Sequence, residues 1–147
     1  MKLKRKGYAY VTVLMIFLVL MIFVATTMTI FNNNNMQSKH QERSIQAYYL
    51  ARSGVDLGVA ALMKQGPGGA NDTLLFDQYS SSSKPNQILN QSINLSNGKV
   101  DITIHSFVRN SKRWVEVHSI GTLAKSSVIK AVNLQFVVDN PNEQKWE

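Results

Sequence analysis

A chain of 147 residues without cysteine has room for one modest folded unit, and it excludes an elaborate multidomain enzyme, a disulfide framework, a thiolate zinc site and a cysteine nucleophile. The net charge of +7 points first to nucleic acid, but Lys2, Lys4, Arg5 and Lys6 supply four of the sixteen cations. The remaining twelve face nine anions and form no basic stripe interleaved with aromatics, so no nucleic-acid contact is expected.

In chain order, the basic leader is followed by a stretch with no charge between Lys6 and Lys39. Tyr8 to Phe31 is apolar apart from Thr12, Thr26, Thr27 and Thr29. As a helix, residues 8–31 are about 36 Å long, enough to cross a hydrocarbon core of about 30 Å with some tilt. The threonines are compatible with this, because a helical threonine can bond its hydroxyl to a carbonyl one turn earlier. The cations precede the span and resume only at Lys39 and Arg43, which predicts an N-terminus in the cytoplasm and a C-terminal part outside. A cleaved secretory signal fits less well, since its apolar region spans about 7–15 residues before an A-x-A-like site. Phe23-Val24-Ala25 is the nearest and a poor match. A plain uncleaved anchor is the other competitor.

The junction Lys4-Arg5-Lys6-Gly7-Tyr8-Ala9-Tyr10-Val11-Thr12 resembles that of a type IV prepilin. In that family a basic leader ends in glycine, and a membrane peptidase cuts on the cytoplasmic side before an aromatic or apolar residue. The resemblance implies that Gly7 ends the leader and that Tyr8 is the new, N-methylated terminus. A glycine suits close approach of an extended backbone to a peptidase; the simpler reading is that Gly7 only separates a charged flank from a helix. Major pilins carry glutamate at the fifth mature position, where this chain has Thr12. Subunits without it occur in the family among minor, initiating or tip components, including minor pilins of the PilX type and the K-type pseudopilin. The resemblance therefore implies a minor subunit.

Asn32 to Asn35 read as a polar break, after which an amphipathic helical pattern resumes over residues 32–65. Ile45, Tyr48, Tyr49, Arg52, Val55, Val59 and Leu62 recur at spacings of three and four and are assigned, with Thr12, to helix packing and assembly. Ala47, Leu50, Ala51, Gly54, Gly58 and Ala61 fill the neighbouring faces, and small residues there suit close packing on a sheet or on other subunits. Tyr48-Tyr49-Leu50-Ala51-Arg52-Ser53-Gly54 resembles a PilX-type segment, with Arg52 where an acidic residue is common. The two features extend the resemblance over about the first 64 residues.

Gly66-Pro67-Gly68-Gly69 ends the helix, and residues 66–99 read as a polar connecting loop, with room for one short element. The alternation of Val100, Ile102, Ile104 and Val108, then Trp114 to Ile120, then Val128 to Val138, predicts about three strands over 100–139, leaving 140–147 as a tail. Asn110-Ser111-Lys112 and Leu123 to Ser127 are the turns of an antiparallel meander. Val128, Val132, Leu134, Phe136 and Val138 share a face, interrupted by Lys130, that should lie on the helix. The expected fold is α+β, a long N-terminal helix packed on a small antiparallel sheet, which the family resemblance also implies.

No catalytic or metal-binding pattern emerges. His40, His105 and His118 lack metal-ligand spacing, and Arg52 with Asp56 has the i, i+4 spacing of a helical ion pair. Asn71-Asp72-Thr73, Asn90-Gln91-Ser92 and Asn94-Leu95-Ser96 match the glycosylation tripeptide, a match common by chance. No enzyme activity and no cofactor are expected. The resemblance implies as partners other pilin or pseudopilin subunits, the prepilin peptidase, the inner-membrane assembly platform and the membrane itself. The alternative is a single-span anchored protein with an extracytoplasmic binding or accessory domain.

Overall fold

A computed structural model describes residues 4–69, 71–80, 88–124 and 126–147, with the backbone alone for 4–7. The chain divides into two compact units, Met1–Gln41 and Glu42–Glu147. One helix, α1 (Lys4–Leu62), contributes to both and runs for 59 residues.

In the first unit α1 carries the apolar stretch Tyr8 to Phe31, and its side chains from Tyr8 to Gln41 are exposed. This is a helix long and apolar enough to cross a membrane. Asn32 to Asn35 are helical, so the polar break changes the surface of the helix and not its backbone, and residues 32–62 extend it as expected. An asparagine costs a helix interior only about 0.7 kcal/mol relative to alanine, and no proline or glycine stands between Tyr8 and Ser53 to stop the hydrogen-bond ladder.

In the second unit the sheet has five strands among the described residues, not about three: β1 (Ile88–Leu95), β2 (Gly98–Arg109), β3 (Lys112–Leu123), β4 (Ile129–Val137) and β5 (Gln144–Trp146). Each pairs antiparallel with the next, so sheet order follows chain order. β1 lies in the stretch read as a loop; Ser96 and Asn97 form the two-residue connection that lays Leu95 against Gly98. β5 lies in the expected tail. There Pro141 follows Asn140 in a turn whose Asn140 carbonyl accepts the Glu143 N–H at 2.9 Å, returning the chain along β4. Among its described residues the same stretch 66–99 also holds a π-type turn, Leu75–Tyr79, which buries Leu75 and Tyr79. Burial pushes the Tyr79 hydroxyl pKa up. The Asn110-Ser111 turn stands as expected, with φ of 52° and 59°, the left-handed pair that a two-residue hairpin matched to strand twist requires.

Alternation decides the core. Val100, Ile102 and Ile104 of β2, Val115 and Val117 of β3, and Val132, Leu134 and Phe136 of β4, with Val138, form one buried face. Val55 and Leu62 of α1 join them, with Val59 packed at the margin. The expected face of β4 is thus the one that meets the helix, with Lys130 exposed.

Candidate functional site

The candidate site is α1 itself, taken from its N-terminal junction to its contact with the sheet. Lys4, Arg5 and Lys6 open the helix and Gly7 continues it into Tyr8, while Lys2 lies outside the described residues. The Thr12 hydroxyl donates to the Tyr8 carbonyl at 2.9 Å. Thr27 and Thr29 donate to Phe23 and Ala25 at 2.8 and 2.9 Å, and Thr26 reaches both Ile22 and Phe23. Each hydroxyl is thereby satisfied without water, and the segment presents hydrocarbon outward.

On the sheet-facing side of α1 the contact runs through small residues. Ala47 and Ala51 are fully buried, and both backbones lie on Gly121 of β3. A Cβ at Gly121 would come within 2.6 Å of the Ala47 oxygen and the Ala51 nitrogen. One turn on, a Cβ at Gly54 would collide with Ser119 Oγ and Val100 Cγ1, and at Gly58 it would stand 2.9 Å from Val117 Cγ1. The stripe that seats the helix is therefore Ala47, Ala51, Gly54, Val55, Gly58 and Leu62.

The residues assigned from the sequence to packing and assembly divide between two surfaces. Val55, Val59 and Leu62 meet the sheet, but Ile45, Tyr48 and Tyr49 are 56%, 45% and 66% exposed. The large residues are displaced because backbone proximity at Gly121 leaves no room for them. Tyr48 and Tyr49 pack edge to face with each other, 5.8 Å between ring centres. Tyr49 also lines an open dish of about 500 Å³ with Gln46, Leu50, Ser53, Asn97 and Leu123.

Arg52 stands at the border of the two faces. It pairs with Asp56 at 3.8 Å, as its spacing predicts, and its guanidinium lies 3.4 Å from the centre of the Trp146 ring in β5. That second partner was invisible in the sequence because the tail was not expected to form a strand.

The sheet face turned away from α1 gathers polar side chains. His105 Nδ1 lies 3.2 Å from Glu116 Oε2, and Gln135 Nε2 donates to the other Glu116 oxygen at 2.9 Å. His118 Nδ1 donates to Asn133 Oδ1. The two histidines do sit on adjacent strands, yet each has its own partner, and no cluster of metal-binding side chains occurs among the described residues. On β2, Lys99 at 2.8 Å and the Ser92 hydroxyl both bond the Asp101 carboxylate and hold it below the ordinary aspartate range.

No family model, curated protein or solved structure matches the chain. What the chain can do therefore rests on this geometry: an apolar helix suited to a membrane, joined in one element to a helix–sheet unit with exposed aromatics on its free side.

Proposed function

We propose that this chain is a minor, low-abundance structural subunit of a type IV pilus or of a type II secretion-like pseudopilus, helping to initiate or cap the filament, and that it carries no catalytic site. The observation that supports this most is α1: one unbroken helix starts in the basic leader, holds the entire apolar stretch and ends on the antiparallel sheet. The Gly7-Tyr8 junction and the Tyr48-to-Gly54 segment supply the prepilin resemblance, which sets the partners as other pilin or pseudopilin subunits, a prepilin peptidase and an inner-membrane assembly platform. The N-terminus stays in the cytoplasm and the sheet unit outside, as the basic flank favours.

Thr12 gives the minor role its physical basis. Its hydroxyl is spent on the Tyr8 carbonyl, and it offers no carboxylate to a neighbouring subunit's terminal ammonium. Leaving such an ammonium unpaired inside a filament would cost about 3 to 5 kcal/mol. At an end of the filament no such neighbour is present and the cost vanishes.

Co-expression with a prepilin peptidase tests the reading. The intact mass should fall by the seven residues preceding Tyr8, and Gly7→Val should block the cut. An unchanged wild-type mass beside an active peptidase removes the pilin reading and leaves an uncleaved anchor with an outer accessory domain.

A further inference from the structure

β5 is a strand of three exposed residues that follows the turn at Pro141, where Lys112 of β3 grips Glu143 at 2.8 Å. Its backbone bonds go to β4. Glu147 exchanges both N–H and carbonyl bonds with Asn133 at 3.0 and 2.9 Å, and the Glu143 carbonyl accepts the Val137 N–H at 3.3 Å. Trp146, opposite the buried Leu134, lies on the helix side of the sheet, and the Arg52 guanidinium covers its ring at 3.4 Å.

This contact has no parallel along α1. Among the described residues no hydrogen bond or ion pair joins α1 to a strand. Even the Ser119 hydroxyl, buried against Gly54 in the seam, has no partner. Apolar packing is attractive without being directional. Arg52 over Trp146 is therefore the one directional side-chain contact between helix and sheet among the described residues, and it engages the shortest strand.

We propose that β5 is a hinged strap, clasped to α1 by Arg52 over Trp146 and able to open about the turn at Pro141 while the longer strands stay folded. β2, β3 and β4 share the buried core and open only with it, whereas three exposed residues leave the sheet with little loss of buried surface. The Lys112–Glu143 pair lies on the turn side and stays with the hinge. Asp56, 3.8 Å from Arg52, steadies the guanidinium in either state. Closed, the strap covers the edge of β4 and engages Arg52; open, it releases both at once. The accessibility of a sheet edge is thereby coupled to one side chain of the helix.

Amide hydrogen exchange, read residue by residue on the full chain in detergent micelles, tests this. Alternate amides of β4 report its two neighbours: Asn133 and Val137 donate toward β5, and Leu134 and Phe136 face β3. In the wild type the first pair should exchange at least about tenfold faster than the second, with little acceleration by dilute urea, the mark of an opening that exposes little surface. Arg52→Gln should speed exchange at Asn133 by a further two- to fivefold or about that, the contribution of an exposed cation–π contact. In a Trp146→Leu background the same substitution should change it by less than about 1.5-fold. Exchange at Asn133 and Val137 that matches Leu134 and Phe136 in rate and urea dependence would mean that β5 opens only with the whole sheet, and overturns the hinge. An equal effect of Arg52→Gln with and without the Trp146 ring would assign the loss to the Asp56 pair, and overturns the clasp. Neither outcome depends on whether the leader is processed.

Discussion

Residues 8–31 and 47–62 belong to the same helix and obey opposite rules. In the first stretch bulk and hydrophobicity are everything: Leu14, Phe17, Leu18, Ile22 and Phe23 are all exposed, and nothing among the described residues covers them. In the second, bulk is excluded from the working face, and alanine and glycine hold the positions closest to the sheet. A helix meeting lipid gains by covering its backbone with hydrocarbon, whereas a helix meeting a sheet gains by bringing its backbone close. The identity of the neighbouring phase, more than helix propensity, assigns each residue its role.

The sharpest way to break the comparison is to put bulk where the second stretch forbids it. Gly121→Val should destabilise the sheet unit by about 3 kcal/mol, because the added carbons meet the helix backbone, which cannot rotate away. Chemical denaturation followed through tryptophan fluorescence measures this, and a loss below about 0.5 kcal/mol would show that the seam is slack.

A cation placed in each stretch tests the comparison with an effect of similar size. Leu18→Arg should cost about 2.5 to 3.5 kcal/mol of membrane insertion and move chain out of the carbonate-resistant membrane fraction. Tyr49→Arg, at an exposed position of the second stretch, should change the stability of the sheet unit by no more than about 0.5 kcal/mol. Equal insertion of the Leu18 variant would deny the first stretch its membrane role.

The smallest effect lies off the helix. Asp101 is held below its ordinary value near 3.8 by bonds from Lys99 and Ser92. A depressed folded-state pKa gives stability that is present above the unfolded value and lost as pH falls through the folded one. With the side chain 37% exposed and the ion pair screened by solvent, Asp101→Asn should cost less than about 0.5 kcal/mol at neutral pH, and the gap to wild type should close under acid conditions. A gap that persists when the carboxylate is protonated would assign the loss to packing.

Much of this architecture was legible in the residues. The apolar stretch, the three long strands, the Asn110-Ser111 turn and the buried face of β4 follow from periodicity, because large aliphatic residues alternate there without ambiguity. The edges were not legible by the same means. β1 is rich in asparagine, glutamine and serine, which have weak strand preference, and it exists through its pairing with β2. Its one local signal was the turn-forming cluster Ser96-Asn97-Gly98 in a stretch read as loop. β5 is too short for any periodicity and depends on the turn at Pro141. On α1 the spacing picked out Ile45 and Tyr48 beside Val55 and Leu62, while Ala47 and Gly54 were read as suited to close packing on a sheet or on other subunits without being assigned to either. Periodicity locates a face by greasiness and cannot register how near two backbones stand.

The back-bonded threonines of the first stretch carry an evolutionary corollary. Since Thr26, Thr27 and Thr29 already turn their hydroxyls onto the helix, exchange for valine or isoleucine alters little that a lipid tail can sense. Selection there acts on an average, and individual positions are free to drift. At Gly54 and Gly121 no average exists, since a single added carbon strikes a specific atom. Descendants of this sequence should thus lose resemblance fastest along their most conspicuous segment and keep it longest at a handful of inconspicuous small residues.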